Sequence, residues 1–273
     1  MTVYYTYDNL GYNGRLGNML WQIAATIGRA HNAGGVARFN PNWEYRQFFS
    51  VPDEFFESID CSMERVDGET DYFQEVSYWK DIDRLIRMYF TPSDKALAHL
   101  STLFAPYDDG KQNVSVHVRR GDYVNLPGHF PLPTQRYFHS AVSMVEDDLD
   151  GYSFLKHGCA DARWLVFSDD PDWCRANLEY LGLVGRDVHI MQGTPRPVEV
   201  VDRVGEPEDQ WDMFLMSLCD HHIISNSTFS WWGAWLAMPF ARPIYPSKWF
   251  GSKVPNWERW GLGIPADWRM IEC

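Results

Sequence analysis

The stretch NVSVHVRRGDY, residues 113–123, decides the fold, because it is typical of a strand that ends in a charged turn. Valine alternates with a polar residue at three successive positions, Val114, Val116 and Val118. This two-residue period predicts a half-buried strand, with the valines packed on one face and with His117 and Arg119 on the other.

The strand leads directly into Arg120, Gly121 and Asp122. In an open α/β sheet, ligands bind at the carboxyl ends of the strands. Two adjacent guanidinium groups offer rigid, fork-shaped donors that match phosphate oxygens. These residues therefore predict a phosphate site. The alternative is that the arginines form structural salt bridges, for example with Asp122.

The order of the predicted elements indicates an α/β protein. A strand at residues 3–7, an amphipathic helix at residues 16–30 and a strand at residues 36–39 form a βαβ opening. Gly14 and Gly17 lie in its strand-to-helix turn, where backbone amides and the helix dipole could meet an anion or a sugar hydroxyl. A tight turn that simply requires glycine is the alternative.

Later strands also lead into polar loops. Residues 163–167 run into Asp169 and Asp170, which either cap the next helix or hold a ligand hydroxyl. Residues 223–224 run into the loop SNST, residues 225–228, which precedes an apolar helix. Because the first amides of a helix lack intrahelical partners, a hydroxyl-rich loop at this position predicts a phosphate cradle.

Composition limits the possible partners. The chain has 273 residues, a formal net charge of -13, 16% aromatic residues and 13 tryptophans. The acidic balance argues against a nucleic-acid partner and makes Arg119 and Arg120 a local basic island. The aromatic content suits a sugar-facing surface or, for most of the rings, ordinary core packing.

A linker-like sequence, APYDDG at residues 105–110, divides the chain. We therefore predict an N-terminal domain over residues 1–110 and a C-terminal domain over residues 111–273. Five widely spaced cysteines without a CxxC pair indicate neither a disulfide framework nor a zinc site. The sequence shows no basic-then-apolar leader and no run of about 18 apolar residues, so we expect no membrane span and a cytoplasmic protein.

Four segments carry a more specific signal. They are GRLGN at 14–18, HVRRGDY at 117–123, FSDD at 167–170 followed by Trp173 and Asn177, and DMFLMSLCDHHIISNSTFSWWGAWL at 212–236. In this order and spacing they resemble the α-1,2-fucosyltransferases, glycosyltransferase family 11. The combination of HxRRGDY with NSTFSWWGA is the most specific part of the resemblance.

The resemblance implies an α/β fold of GT-B type, with two Rossmann-like domains and a cleft between them. It also implies an inverting transfer of L-fucose from GDP-fucose to the 2-hydroxyl of a terminal β-galactoside, with no metal ion or cofactor. The N-terminal domain would face the acceptor, and the C-terminal domain would bind GDP-fucose.

In an inverting transfer, negative charge grows on the β-phosphate as GDP leaves, and a fixed cation stabilises that charge. By resemblance to relatives, Arg119 is assigned to the β-phosphate and Arg120 to the fucose-proximal side. Neither Asp169-Asp170 nor any other strand end offers a convincing set of metal ligands in the sequence, so we predict no metal site.

The resemblance also assigns the phosphate contacts to hydroxyls and amides around the 225–228 loop, and the guanine edge to Asp212. Strand alternation places His117 beside Arg119, facing the nucleotide. The residues expected to bind GDP-fucose are His117, Asp169, Asp212, Asn226, Ser227, Thr228 and Ser230.

Asp122 and His129 are the candidates for acid–base chemistry. A carboxylate that is paired with arginine is a poor base, so Asp122 is expected to orient the arginines. His129 lies where family members often carry a His-Gly pair, although Phe130 replaces the glycine here. Histidine titrates in the range that a general base requires, and a merely solvated loop histidine is the alternative.

The departures from the family pattern lie on the expected acceptor side, to which Gly14, Arg15, Gly17 and Asn18 are assigned. Gly14-Arg15 resembles the animal-type members, and Met19 stands where glutamine is usual. The acceptor sugar therefore stays open. The alternatives to this function are a related transferase with another linkage or GDP-sugar, and a non-catalytic module that binds a glycan or a nucleotide.

Overall fold

The computed structural model describes residues 2–58, 65–67, 72–156, 162–191, 208–238, 240–254 and 263–273. The strands are β1 (Tyr4–Thr6), β2 (Val36–Arg38), β3 (Arg65–Asp67), β4 (Gln112–Val118), β5 (Ala162–Ser168), β6 (Asp187–Ile190), β7 (His221–Ile223), β8 (Ile244–Pro246) and β9 (Arg269–Ile271). The α-helices are α1 (Leu16–Ala33), α2 (Asp83–Tyr89), α3 (Asp94–Phe104), α4 (Gln135–Lys156), α5 (Pro171–Ala176), α6 (Asp209–Ser217) and α7 (Thr228–Leu236).

The described residues form two compact units. The first unit lies within Met1–His99 and Asn256–Ile264, and the second lies within Leu100–Pro255 and Pro265–Cys273. Each unit contains a parallel sheet. The predicted domain limits and the assignment of the domains to acceptor and donor stay a prediction.

The first unit begins with the βαβ arrangement that the sequence predicts. β1 pairs in parallel with β2 on one side and with β3 on the other. α1 connects β1 to β2 and buries apolar residues at helical spacing, including Leu20, Ile23 and Ile27. Gly34 ends this helix with φ +68°, in the left-handed region that glycine adopts without strain.

Aromatic side chains fill the core of the first unit. Those buried to 5% exposure or less include Trp43, Tyr45, Phe48, Phe49, Phe56 and Trp79. The ring of Trp43 stacks on Phe49 and on Phe56, with centroid separations of 5.8 and 6.1 Å. Ordinary core packing, rather than a sugar-facing surface, is therefore correct for these rings.

The second unit is built on a six-stranded parallel sheet in the order β6-β5-β4-β7-β8-β9, as far as the chain is described. From β4 the chain adds β5 and β6 on one side, and it then crosses to add β7, β8 and β9 on the other. β4 and β7 therefore flank the point at which the strand order reverses. Ligands bind beside such a switch point, at the carboxyl ends of the strands.

The prediction that β4 is half-buried was wrong, because the structure buries both of its faces. Every residue from Asn113 to Val118 is exposed by 5% or less. Helices cover both faces of a parallel sheet, so the polar residues in the alternation do not meet solvent. They find internal partners instead: the Ser115 hydroxyl lies 2.8 Å from Nδ1 of His222 on β7.

The helix α4 is bonded to the backbone after β7 and to that of β8. Its Tyr137 is fully buried, and the hydroxyl donates to the carbonyl oxygens of Ile224 at 2.6 Å and Ile244 at 3.0 Å. These bonds hold the end of β7 against β8. None of the helices in the described parts of the chain is long and apolar enough to cross a membrane.

Candidate active site

The ends of β4 and β7 are tied together at the switch point. The hydroxyl of Ser225, which is fully buried, donates to the carbonyl oxygen of His117 at 2.7 Å. The same hydroxyl accepts the backbone N–H of Arg119 at 3.1 Å. These two hydrogen bonds hold the backbone of Arg119, at the end of β4, beside the loop that precedes α7.

Two carboxylates hold Arg119. Its Nη1 donates to Asp169 and its Nη2 donates to Asp122, while the guanidinium carbon lies 5.0 Å from the centroid of the Tyr123 ring. These bonds use one N–H of each terminal nitrogen, and the described residues accept none of the other three. The salt-bridge alternative is therefore correct, and it leaves donors for a phosphate.

Arg120 is held in a different way. Its Nε donates to Oδ2 of Asp170 at 3.0 Å, and its guanidinium lies over the Trp173 ring, 3.8 Å from the centroid. The other oxygen of Asp170 accepts the backbone N–H of Trp173 at 3.2 Å, which caps α5. The helix-cap alternative is thus correct for Asp170, and the same carboxylate orients Arg120.

Asp169, at the end of β5, contacts both arginines. Its Oδ1 accepts the backbone N–H of Arg120 at 2.9 Å, while its Oδ2 accepts from Arg119. Gly121 makes room for this carboxylate, because a Cβ at that position would overlap Oδ2 of Asp169. The arginine cluster, defined as Arg119, Arg120, Asp122, Asp169 and Asp170, contains one more carboxylate than guanidinium.

Hydroxyl groups shape the loop that precedes α7. The Ser227 hydroxyl caps the helix by accepting the backbone N–H of Phe229 at 3.3 Å. Ser230 is fully buried, and its hydroxyl donates to the carbonyl oxygens of Ser225 at 3.3 Å and Ser227 at 3.2 Å. Thr228, at the first position of α7, is partly exposed.

Asn226 lies in the same loop, but its side chain points into the protein. It is 1% exposed, and its Nδ2 donates to the carbonyl oxygens of Pro131 at 3.0 Å and Trp249 at 2.9 Å. The main-chain carbonyl oxygen of Asn226 accepts a hydrogen bond from the Tyr123 hydroxyl at 3.2 Å.

His117 is buried beside the arginine cluster. Burial, together with the charge of Arg119, lowers the pKa of this histidine to about 3, so the ring is neutral at pH 7. The ring centroid lies 5.7 Å from that of Phe229 in the first turn of α7. Nδ1 of His117 has no hydrogen-bond partner among the residues that the structure describes, which leaves a polar atom for a ligand.

Asp212 lies in the first turn of α6, a helix that packs against α7. Burial raises the pKa of its carboxyl to about 7, and the nearby charges of Asp209 and Glu208 add to this effect. The group therefore changes charge near neutral pH. A ligand with two N–H donors, such as a guanine edge, would favour the ionised form.

His129 lies, partly exposed, in the loop of residues 124–133. Its backbone N–H donates to Leu126 at 2.9 Å, and its carbonyl oxygen accepts from Gly251 at 2.8 Å. Phe130, which replaces the family glycine, stacks on Tyr123 with 4.5 Å between the ring centroids and 13° between the ring planes. The substitution thus connects the His129 loop to the ring that lies against Arg119.

The predicted acceptor-side residues form a separate feature of the first unit. Gly14 has φ +90°, and a Cβ there would lie 2.6 Å from Nδ2 of Asn18, so the tight-turn explanation for this glycine is correct. Oδ1 of Asn18 accepts from Gln74 at 3.1 Å. Arg15 is exposed just before α1, whereas Gly17 is buried in its first turn.

Met19, which replaces the usual glutamine, belongs to the core of the first unit. It is fully buried, and the indole N–H of Trp43 points to its sulfur at 3.4 Å. The sulfur is a weak acceptor that suits an apolar pocket. This departure from the family pattern therefore has a packing explanation.

Sequence patterns assigned no role to Tyr123 and Trp173, yet each ring lies against one of the two arginines. The sequence signal for these contacts is proximity: Tyr123 lies four residues after Arg119, and Trp173 lies three residues after Asp170, which pairs with Arg120. Within the described ranges, no group of three or more His, Cys, Asp or Glu side chains is placed to hold a metal ion.

The sequence of the second unit and much of the first agrees with one family. The model of glycosyl transferase family 11 matches residues 36–254, a range that includes β4, β7 and the whole arginine cluster. This chain belongs to glycosyl transferase family 11. The match begins after Gly14–Asn18, so it does not include the turn assigned to the acceptor.

Named relatives of this family 11 chain act on related sugars. It is 31% identical over 211 residues to an alpha-1,2-colitosyltransferase of Escherichia coli, covering 75% of this chain and 63% of the relative. It is 28% identical over 261 residues to a galactoside 2-alpha-L-fucosyltransferase of Caenorhabditis elegans, covering 81% and 66%. The chain thus spans about two-thirds of the length of these relatives.

Solved structures confirm the predicted α/β fold of GT-B type. The NodZ alpha-1,6-fucosyltransferase co-crystallised with GDP has a TM-score of 0.54 and 14% identity, covering 87% of this family 11 chain and 93% of that chain. A mutant of Arabidopsis thaliana FUT1 in complex with GDP also has a TM-score of 0.54, with 12% identity and coverage of 90% and 70%.

Proposed function

We propose that this chain transfers L-fucose from GDP-fucose to the 2-hydroxyl of a terminal β-galactoside, with inversion and without a metal ion. The observation that carries the proposal is Arg119, which is held at the switch point with three N–H donors that no described residue accepts. The names of the relatives from Caenorhabditis elegans and Escherichia coli support the sugar type and the α-1,2 linkage.

Arg119 would stabilise the leaving group. As the bond between the fucose anomeric carbon and GDP breaks, charge develops on the β-phosphate, and donors that are already oriented need no reorganisation at that moment. Asp122 and Asp169 orient the guanidinium before any ligand is bound. Arg120, held by Asp170 and Trp173, would lie on the fucose side.

The excess of carboxylates in the arginine cluster means that the arginines alone do not attract a diphosphate. The N-terminus of α7 would supply the additional positive potential, because a helix carries about half a positive charge at that end. Phosphate would bind in front of the N-terminus of α7, which begins at Thr228. Ser227 and Ser230 would hold the loop in the shape that presents this N-terminus.

Asp212 would accept the N–H groups of the guanine edge, and His117 would contact the nucleotide beside Arg119. A neutral, buried imidazole offers one polar atom without adding charge near the phosphates. We assign His129 as the general base that takes the proton of the acceptor hydroxyl. Its loop position leaves the ring partly exposed, as a group that must meet an acceptor requires.

The remaining predicted residues belong to the acceptor in this proposal. The Gly14 turn, with Arg15 exposed beside it, would contact the galactoside, and Gly17 and Asn18 would support the turn.

A second candidate function is transfer of colitose, which is fucose without its 3-hydroxyl. The name of the Escherichia coli relative, an alpha-1,2-colitosyltransferase at 31% identity, favours it. A site that hydrogen-bonds the 3-hydroxyl rejects the deoxy sugar by a factor of about 10⁴, whereas a site without such a partner accepts both sugars.

The deciding experiment is an assay of GDP-fucose and GDP-colitose with lactose as acceptor, followed by determination of the linkage by NMR. We expect an α-1,2-linked fucosyl product whose rate of formation is unchanged by EDTA. Preference for GDP-colitose would select the second candidate. GDP binding without turnover on any β-galactoside would favour a binding module, and activity lost in EDTA and restored by Mn²⁺ would contradict the metal-free mechanism.

A further inference from the structure

Asn226 joins two loops at the carboxyl edge of the second sheet. Its carboxamide nitrogen donates to the carbonyl oxygen of Pro131, in the 124–133 loop, and to that of Trp249, in the segment of residues 247–254. Because both partners are carbonyl oxygens, only the NH₂ end of the side chain can face them. The side chain is 1% exposed, so water does not replace these bonds easily.

The two loops also bond to each other. The backbone N–H of Gly251 donates to the carbonyl oxygen of His129 at 2.8 Å, and that of Lys253 donates to Gly128 at 2.8 Å. The backbones are so close that a Cβ at Gly251 would overlap the carbonyl oxygen of Gly128. The 247–254 segment therefore supports the part of the loop that holds His129.

A chain of aromatic contacts leads from these loops back to Arg119. The ring of Phe250 lies 5.9 Å from that of Phe130, which stacks on Tyr123 at 4.5 Å. Tyr123 lies against the guanidinium of Arg119 and donates its hydroxyl to the carbonyl oxygen of Asn226 at 3.2 Å. Asn226 thus contacts Trp249, the neighbour of Phe250, through its side chain and Tyr123 through its main-chain carbonyl oxygen.

We propose that Asn226 is a positioning residue for the transfer step and that it does not bind the phosphate. Its nitrogen is committed to two carbonyls, and its remaining oxygen is an acceptor, which cannot donate to a phosphate. Its side chain acts by holding the His129 loop, whose Phe130 stacks on the Tyr123 ring that lies against Arg119. This role rests on the proposed transferase function.

The test compares Asn226→Leu, which keeps the size of the side chain without its donors or a charge, with Asn226→Ala as a second variant in case leucine impairs folding. We expect the amides of Gly251 and Lys253 to exchange with deuterium at least about fivefold faster than in the parent. We expect kcat to fall about tenfold or more, because the loop geometry is loosened. The affinity for GDP stays within about threefold of the parent, since the phosphate donors are unchanged.

Ser227→Ala is the matched control from the same loop. It removes the α7 cap and leaves the Asn226 side chain untouched, so GDP affinity should fall while the exchange of Gly251 and Lys253 stays unchanged. The proposal is overturned if Asn226→Leu weakens GDP binding without changing amide exchange, or if it changes neither exchange nor kcat. If the parent transfers no sugar, the proposed function fails, and the exchange measurement still decides whether Asn226 holds the loops.

Discussion

For Arg119, the two explanations of the arginine pair, salt bridge and phosphate ligand, are compatible. Arg119 is bonded to Asp122 and Asp169 and lies against Tyr123. A guanidinium has five N–H donors in a plane, so two carboxylates can fix its orientation without using its capacity. In the proposed function, these ion pairs orient Arg119 for the phosphate.

Arg119→Lys should reduce kcat of the proposed transfer by about 10² to 10³, because lysine keeps the charge but loses the planar fork that two carboxylates hold. Steady-state kinetics with GDP-fucose and lactose measure this change. Arg175→Lys is the matched control, since Arg175 lies on α5 with its side chain 41% exposed and pairs only with Asp172 among the described residues. A rate for Arg119→Lys within a few-fold of the parent would show that the leaving-group assignment is wrong.

Asp212 should make donor affinity depend on pH around neutrality. Its pKa is raised to about 7, and only the ionised carboxylate accepts both N–H groups of a guanine edge. We therefore expect GDP-fucose to bind more weakly as the pH falls from 8 to about 6. Titration calorimetry with GDP-fucose measures this directly, because that donor has no terminal phosphate that titrates in the range.

Asp212→Asn is the control for this prediction. The amide does not titrate, so the affinity of the variant for GDP-fucose should be weaker and flat over the same pH range. Parallel pH profiles for the parent and the variant would exclude Asp212 as the titrating group.

At the scale of elements, the site is made where three neighbouring strands end. β4 supplies Arg119, β5 supplies Asp169 and β7 supplies Ser225, and hydrogen bonds between these residues join the three ends. The parallel register of the strands brings these side chains together. Gly121, which follows β4, lies against Asp169 at the end of β5, where an added Cβ would overlap Oδ2.

Gly121→Ala should lower kcat by about tenfold to a hundredfold, because its Cβ would displace the Asp169 carboxylate that orients both arginines. Gly151→Ala is the control with the same chemistry: Gly151 lies in α4, and nothing lies within 4 Å of an added Cβ. The control should keep full activity and gain up to about 1 kcal/mol of stability. Equal activity of both variants would mean that Asp169 does not orient the arginines.

At the scale of the whole molecule, the second unit buries titratable groups in the centre of a parallel sheet. His117 on β4 and His222 on β7 are both buried, and burial is the main reason that the pKa of each is lowered to about 3. The stability of the fold is therefore coupled to pH through residues that solvent does not reach.

The contribution of His222 to the free energy of unfolding should fall as the pH is lowered from 7 to 5. The pKa of His222 is about 3 in the folded chain against an ordinary value of 6.5, so below pH 6.5 only the unfolded chain takes up the proton. This costs about 2 kcal/mol of stability at pH 5. Urea unfolding of the parent and of a His222 variant at pH 5, 6 and 7 measures this contribution as the difference between the two proteins.

His222→Asn isolates this contribution, because asparagine does not titrate while the other histidines still do. The fall in stability from pH 7 to pH 5 should be smaller in the variant by about 2 kcal/mol. Unfolding curves that shift equally with pH in both proteins would show that His222 does not titrate as its burial requires.

The sequence by itself determined the fold class, the order of the elements and the chemistry of the key segment. Period-two valines and the glycine-bounded helix of the first unit predicted β4 and α1 correctly, because these patterns depend on neighbours within one element. The arginine pair beside a strand end predicted where a ligand would meet the sheet, since carboxyl ends of parallel strands share one edge.

Only the tertiary structure decided which partners these residues have. Asp169 meets Arg119 across 50 residues of sequence and Asn226 meets Tyr123 across 103, and the packing of β4 between β5 and β7 sets those contacts. The alternating pattern of β4 predicted a half-buried strand, but the sequence of one strand does not show which elements cover its second face. The local sequence specifies which functional groups a segment carries, whereas the register of the sheet specifies which groups on other strands they contact.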